Sequence, residues 1–149
     1  MICIFKAGFH HYCDVVDFHV YGDWQEIPLV FKEYDRLFAK YGGHKPIWST
    51  EIGLNSHGLP RQTVARTLIK KVTSFFACGG GNMCWFDFGY PDPDAKIADD
   101  PTSAHNVFDC RYAPRYCPKL DAIAYYNMIN GIAVKKFAAQ KVYGDDAHA

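Results

Sequence analysis

Residues 45–53 read KPIWSTEIG, and the arrangement of the whole chain follows from how they are placed. Pro46 opens an apolar run and Gly53 closes it, which fits a short strand buried on both faces, as in a parallel sheet. One residue is at odds with such burial. Glu51 carries a charge that has to face solvent or a polar cleft. By the two-residue period Ile47, Ser49 and Glu51 share one side and Trp48 and Thr50 the other. With Trp48 packed under helices, Glu51 then points into the mouth formed at the C-terminal end of the strand.

Upstream, CDVVDFHVY (13–21) is β-branched and aromatic, and predicts a strand with Val15, Asp17, His19 and Tyr21 on one face. Gly22 and Asp23 end it. After a loop containing Trp24 and Pro28, LVFKEYDRLFAKYGG (29–43) sets Leu29, Val30, Tyr34, Leu37, Phe38 and Tyr41 at helical spacing, with Gly42 and Gly43 as the stop. Downstream, the loop LNSHGLP leads into RQTVARTLIKKVTSFFACGGG (61–81). Its apolar stripe is Val64, Leu68, Val72, Phe75 and Phe76. NMCWFDFGY (82–90) then predicts a third strand, with Met83, Trp85 and Asp87 on one face and Cys84, Phe86 and Phe88 on the other. A long loop over 91–117 precedes a last helix, expected to start at Pro118 and to carry Leu120, Ile123, Ala124, Met128 and Ile129.

Strands alternating with helices point to α/β architecture with parallel β/α units. Residues 1–149 read as a single-domain fragment, because three such units would leave two bare sheet edges and uncovered apolar faces. Further strands are therefore expected upstream. The structural alternative is a small open α/β sheet.

Sixteen basic and sixteen acidic side chains balance, so the sequence carries no electrostatic footprint for nucleic acid or an anionic membrane. No apolar run approaches the ~20 residues that span a bilayer. The opening MICIFKAGFHHYC lacks the pattern of a signal peptide, so for a secreted or periplasmic protein the signal is expected further upstream. Of the six cysteines, Cys110 and Cys117 bracket a Pro-containing loop and are candidates for a local disulfide.

In parallel β/α proteins functional side chains collect at the C-terminal strand ends. The three ends here offer His19 and Tyr21, then Glu51, then Trp85 and Asp87. PIWSTEIG (46–53) resembles the seventh-strand nucleophile motif of clan A of the glycoside hydrolases, retaining enzymes on (β/α)8 barrels. DFHVYGD (17–23) resembles the sixth strand of that clan, NMCWFDF (82–88) its eighth, and CPKLDAIAYYNMINGI (117–132) its last helix. The resemblance covers about residues 12–137 and implies the C-terminal portion, strands six to eight, of an incomplete TIM barrel.

Carried over, the resemblance makes Glu51 the catalytic nucleophile, Tyr21 a hydrogen-bond donor to its carboxylate, and His19 a polar contact in the same cluster. Trp85 would floor the sugar. Apart from the resemblance, Asp87 at its strand end, Asn55 in the loop after Gly53, and Tyr90 and His105 at the long loop are further candidate substrate contacts. The implied substrate is a poly- or oligosaccharide, and no cofactor is implied. The clan places its acid/base glutamate after an asparagine on strand four, and this sequence contains no Asn-Glu pair. The other half of the barrel is expected to supply it, and the fragment by itself is expected to be inactive. Two other readings stand beside this one: a non-catalytic carbohydrate-binding barrel, and an unrelated small α/β domain.

No metal site is expected. His10, His11 and Cys13 crowd together, but their spacing is not a zinc pattern, and neither HExxH nor paired CxxC is present. Gly79 to Gly81 precede a strand instead of leading from a strand into a helix, so they do not form a phosphate loop.

Overall fold

The chain is seen in a computed structural model that describes residues 2–89, 104–109, 116–135 and 138. Three parallel strands make its sheet: β1 (Val16–Val20), β2 (Ile47–Gly53) and β3 (Asn82–Phe86), in the order β1-β2-β3. β1 follows the period of two, with Phe18 and Val20 buried and Asp17 and His19 on the other face. The fold is thus α/β with a parallel sheet, as the alternation of elements predicts. Among the described residues β1 and β3 each keep one unpaired edge.

Two helices cover one face of the sheet. The first of them is α2 (Glu26–Tyr41), counted after a short α1 (Ile2–Lys6). It begins three residues before the apolar pattern, and Pro28 sits within its first turn, where a missing N–H breaks no intrahelical bond. It ends where Gly42, at φ 74°, turns its N–H back onto the Phe38 carbonyl. The other helix on this face, α3 (Arg61–Ala77), buries Val64, Ala65, Leu68, Lys71, Val72 and Phe75, while Phe76 turns outward.

Ile27 and Leu37 from α2, Ile52 from β2, and Leu68, Val72 and Phe75 from α3 are completely buried between these layers. Each such side chain stabilises the fold by about 1.5–3 kcal/mol relative to exposure. α4 (Leu120–Ile132) lies against α3. It starts two residues after Pro118 and buries Ala122 and Met128, whereas Leu120 and Ile123 of the expected stripe are exposed. Packing against one neighbour needs only a narrow apolar face, and this helix is apolar on several.

The N-terminal residues form structure that no periodic pattern announced. Phe5 of α1 packs edge-on against Phe38, and the ring of His10, in a 3-10 turn over Phe9–Tyr12, stacks on Phe5 at 4.5 Å. A two-stranded antiparallel pair, β4 (Phe108–Asp109) and β5 (Cys117–Pro118), precedes α4. Cys117 is a free thiol, and Cys110, its expected partner, lies outside the described residues. No helix among the described residues is long and apolar enough to cross a membrane.

Candidate active site

Among the described residues the face of the sheet opposite the helices is open, and its polar side chains converge at the C-terminal ends of β1 and β2. Asp17, His19 and Tyr21 reach it because β1 alternates regularly. Glu51 reaches it for a different reason. Ile47 and Ser49 face the helices, and Trp48, 37% exposed, lies on the open face with Thr50, so the expected orientation of Trp48 is reversed. Strict alternation would then bury Glu51.

β2 escapes this by carrying an extra residue. Trp48 to Glu51 spans three steps against two from Asp17 to His19 on β1, and Ser49 to Ile52 spans three against two from Met83 to Trp85 on β3. A bulge of this kind turns two consecutive side chains toward one face. Thr50 and Glu51 both come to the open side, and Ile52 returns to the core.

The bulge is tied down from β1. The Asp17 carboxylate accepts the Thr50 backbone N–H at 2.8 Å and the Thr50 hydroxyl at 2.9 Å. Beneath it, the Ser49 hydroxyl donates to the Phe18 carbonyl at 2.5 Å. Because the single hydroxyl proton of Thr50 goes to Asp17, His19 Nε2, 2.9 Å from Thr50 Oγ1, is the donor of that contact. His19 Nε2 also lies 3.3 Å from Asp17 Oδ2, and its Nδ1 lies 3.4 Å from Glu51 Oε2. The imidazole thus stands between the two carboxylates.

Tyr21 completes the cluster by donating its hydroxyl to Glu51 Oε2 at 2.5 Å. Burial, the hydrogen bond to Glu51 and the nearby Glu51 and Asp87 charges push its phenol up to about 12, so it remains a donor throughout the neutral range. Its ring meets Phe86 edge-on at 6.0 Å and His105 at 5.8 Å. His105 lies within the 91–117 stretch, and the backbone around it is held to the end of β3 by bonds from Asp87 N to His105 O and from Val107 N to Asp87 O.

Trp85 is not part of this cluster. It is 6% exposed, lies in the core under the helices, and its indole nitrogen has no partner among the described residues. The aromatic that β3 presents on the open face is Phe86, 37% exposed; the expected alternation of the strand holds, but the face with Trp85 is the buried one. Asp87 sits past the end of β3, where the Asn106 amide nitrogen, turned toward it, donates to both carboxylate oxygens. Burial raises its carboxyl above the usual range, against the pull of His105 and Lys119. Asn55 is exposed and accepts the His57 N–H at 2.9 Å within its own loop. Tyr90 lies outside the described residues.

Lys71 escaped the sequence reading, although it is fully buried and its Nζ donates to the Gly53 carbonyl at the end of β2. Its only signal was a lysine one turn after Leu68 and next to Val72, within the apolar stripe of α3. Among the described residues no group of three His, Cys, Asp or Glu side chains is placed to hold a metal ion, and Cys13 instead donates its thiol to the His10 carbonyl.

Chemically, the arrangement supplies a carboxylate held by a phenol hydrogen bond, with an imidazole nitrogen 3.4 Å away, at the C-terminal end of a sheet, beside an aromatic edge. No family model matches this sequence, no curated protein matches it, and no solved structure matches its fold.

Proposed function

We propose that the chain is the C-terminal part of a (β/α)8 barrel of clan A and carries the nucleophile half of a retaining glycosidase site. The observation that carries this reading is the 2.5 Å hydrogen bond from Tyr21 to Glu51, made at adjacent strand ends with His19 on the same oxygen. In such a reaction Glu51 attacks the anomeric carbon and forms a glycosyl ester, which water then hydrolyses. Tyr21 keeps one carboxylate oxygen occupied and leaves Oε1 for the attack. Phe86 and His105 offer apolar and polar edges to a poly- or oligosaccharide.

A second carboxyl about 5–5.5 Å away has to protonate the leaving oxygen. The neighbouring carboxylates among the described residues are engaged, Asp17 by Thr50 and Asp87 by Asn106. The acid/base residue therefore belongs to the remaining strands, which in this proposal pair with the open edges of β1 and β3. That same engagement favours a second reading, a barrel that binds carbohydrate without cleaving it.

The test is Glu51→Gln in the intact protein, assayed on activated aryl glycosides. Turnover is expected to vanish while the far-ultraviolet circular dichroism spectrum stays the same, and residues 1–149 alone are expected to give no turnover. Activity that survives the substitution overturns the nucleophile assignment. A wild-type protein that binds oligosaccharides yet never turns them over selects the binding reading.

A further inference from the structure

Lys71 has no exposed surface and lies in a stripe of α3 otherwise formed by Val64, Leu68, Val72 and Phe75. An ammonium in such surroundings needs acceptors, since burying it unpaired costs far more than burying an aliphatic chain. It finds them in the sheet. Nζ donates to the Gly53 carbonyl at 2.6 Å and, over a longer reach of 3.5 Å, to the Val20 carbonyl. These are the last residues of β2 and β1. Asp23 and Glu26, from the turn before α2 and its first residue, contribute the negative charges felt by the ammonium.

The other side of the same strand ends holds Tyr21, next to Val20, and Glu51, two residues before Gly53. Their hydrogen bond depends on how far apart the two ends stand. Gly53 transmits that spacing directly, because a Cβ placed on it would lie 2.8 Å from the Tyr21 ring and 2.5 Å from the Phe86 carbonyl oxygen. No slack separates the Gly53 backbone from the tyrosine.

We infer that Lys71 is a positioning residue, a buried clip that bridges the ends of β1 and β2 from the helix side and so sets the distance at which Tyr21 meets Glu51. The inference takes the Tyr21–Glu51 pair as the working pair of the proposed function, yet its test needs no turnover.

Tyr21 and Tyr34 together provide the readout. Both phenols are pushed up to about 12, Tyr21 by burial and then Glu51, Tyr34 by burial and then the Asp17 and Cys13 charges. The Tyr34 hydroxyl donates to the Asp17 carbonyl at 2.8 Å, near the start of β1 and away from the clip. Carbon-13 spectra of ring-labelled tyrosine in the intact protein follow the two separately. At about pH 7, where Lys71 carries its charge, the Tyr21 Cζ resonance in Lys71→Met is expected to move toward that of a phenol without the hydrogen bond to Glu51, with Tyr34 unmoved. Lys71→Gln, whose shorter amide reaches one carbonyl but does not bridge two, is expected to show the same shift at smaller size, and decides by the same criterion if the Met variant does not fold. An unmoved Tyr21 resonance, or Tyr21 and Tyr34 moving together as in general loosening, overturns the clip. A selective Tyr21 shift in a protein without glycosidase activity keeps the clip and overturns the proposed function instead.

Discussion

Adding one methyl group to Gly53 is expected to damage both the fold and the site. In Gly53→Ala the new carbon would lie 2.5 Å from the Phe86 carbonyl oxygen and 2.8 Å from the Tyr21 ring, both well inside van der Waals contact. The carbonyl oxygen belongs to the paired strand β3, opposite Gly53 in register, and cannot retreat without opening the ladder. The ring can retreat only by withdrawing its hydroxyl from Glu51. Gly53 itself cannot shift freely, since Lys71 holds its carbonyl and its neighbour Ile52 is fully buried.

Overpacking at a confined position costs about 1–3 kcal/mol. The hydrogen bond to a charged acceptor adds up to about 1.5 kcal/mol, the low end of its range because Tyr21 is 39% exposed. A total of about 1–4.5 kcal/mol is expected from urea denaturation of the intact protein, followed by circular dichroism. Gly131 is the control, since it lies within α4 and a Cβ there meets nothing within 4 Å. The same change at Gly131 is expected to stabilise by about 0.4–1 kcal/mol. If Gly53→Ala unfolds within about 0.5 kcal/mol of the wild type, the close convergence of the three strand ends is refuted.

Two further outcomes follow from the same geometry. Burial pushes the Lys71 ammonium down from 10.5 to about 8, so between those values the folded state has lost a proton that the unfolded state keeps, and stability rises with pH. Relative to Lys71→Met, which lacks this group, the wild type is expected to gain about 2 kcal/mol between pH 7 and about pH 9.5; a gap that stays constant refutes the buried charge. Asp17→Ala removes both acceptors of Thr50, and is expected to cost about 1 kcal/mol and to make the Thr50 amide exchange with solvent markedly faster, as measured by hydrogen exchange; an unchanged amide refutes its hold on the bulge.

The order of elements, the parallel sheet and the face of β1 that carries Asp17, His19 and Tyr21 were all legible from residue order, because local periodicity survives folding wherever the backbone is regular. Glu51 does lie near the end of an apolar strand, as residue order implies, but the parity that would turn it to the open side does not hold. Ile47 and Ser49 face the helices, and an inserted residue near Thr50 returns Glu51 to the open side. A bulge leaves no signature in residue types when both neighbouring strands accommodate it.

Trp85 and Phe86 pose a similar difficulty. In a strand with large apolar residues at successive positions, composition does not say which is buried, and only the depth of the helix layer made Trp85 core and Phe86 surface. Lys70 and Lys71 are adjacent and chemically identical, yet only Lys71 meets two strand ends. His105 approaches Tyr21 across more than eighty residues of sequence, through backbone pairing beyond β3. By itself the sequence determined which segments are strands and helices and where a carboxylate stands among them, since those follow from local periodicity and polarity. Only the tertiary structure decided which side chains meet that carboxylate, because register, bulge and helix docking are set by contacts between distant segments.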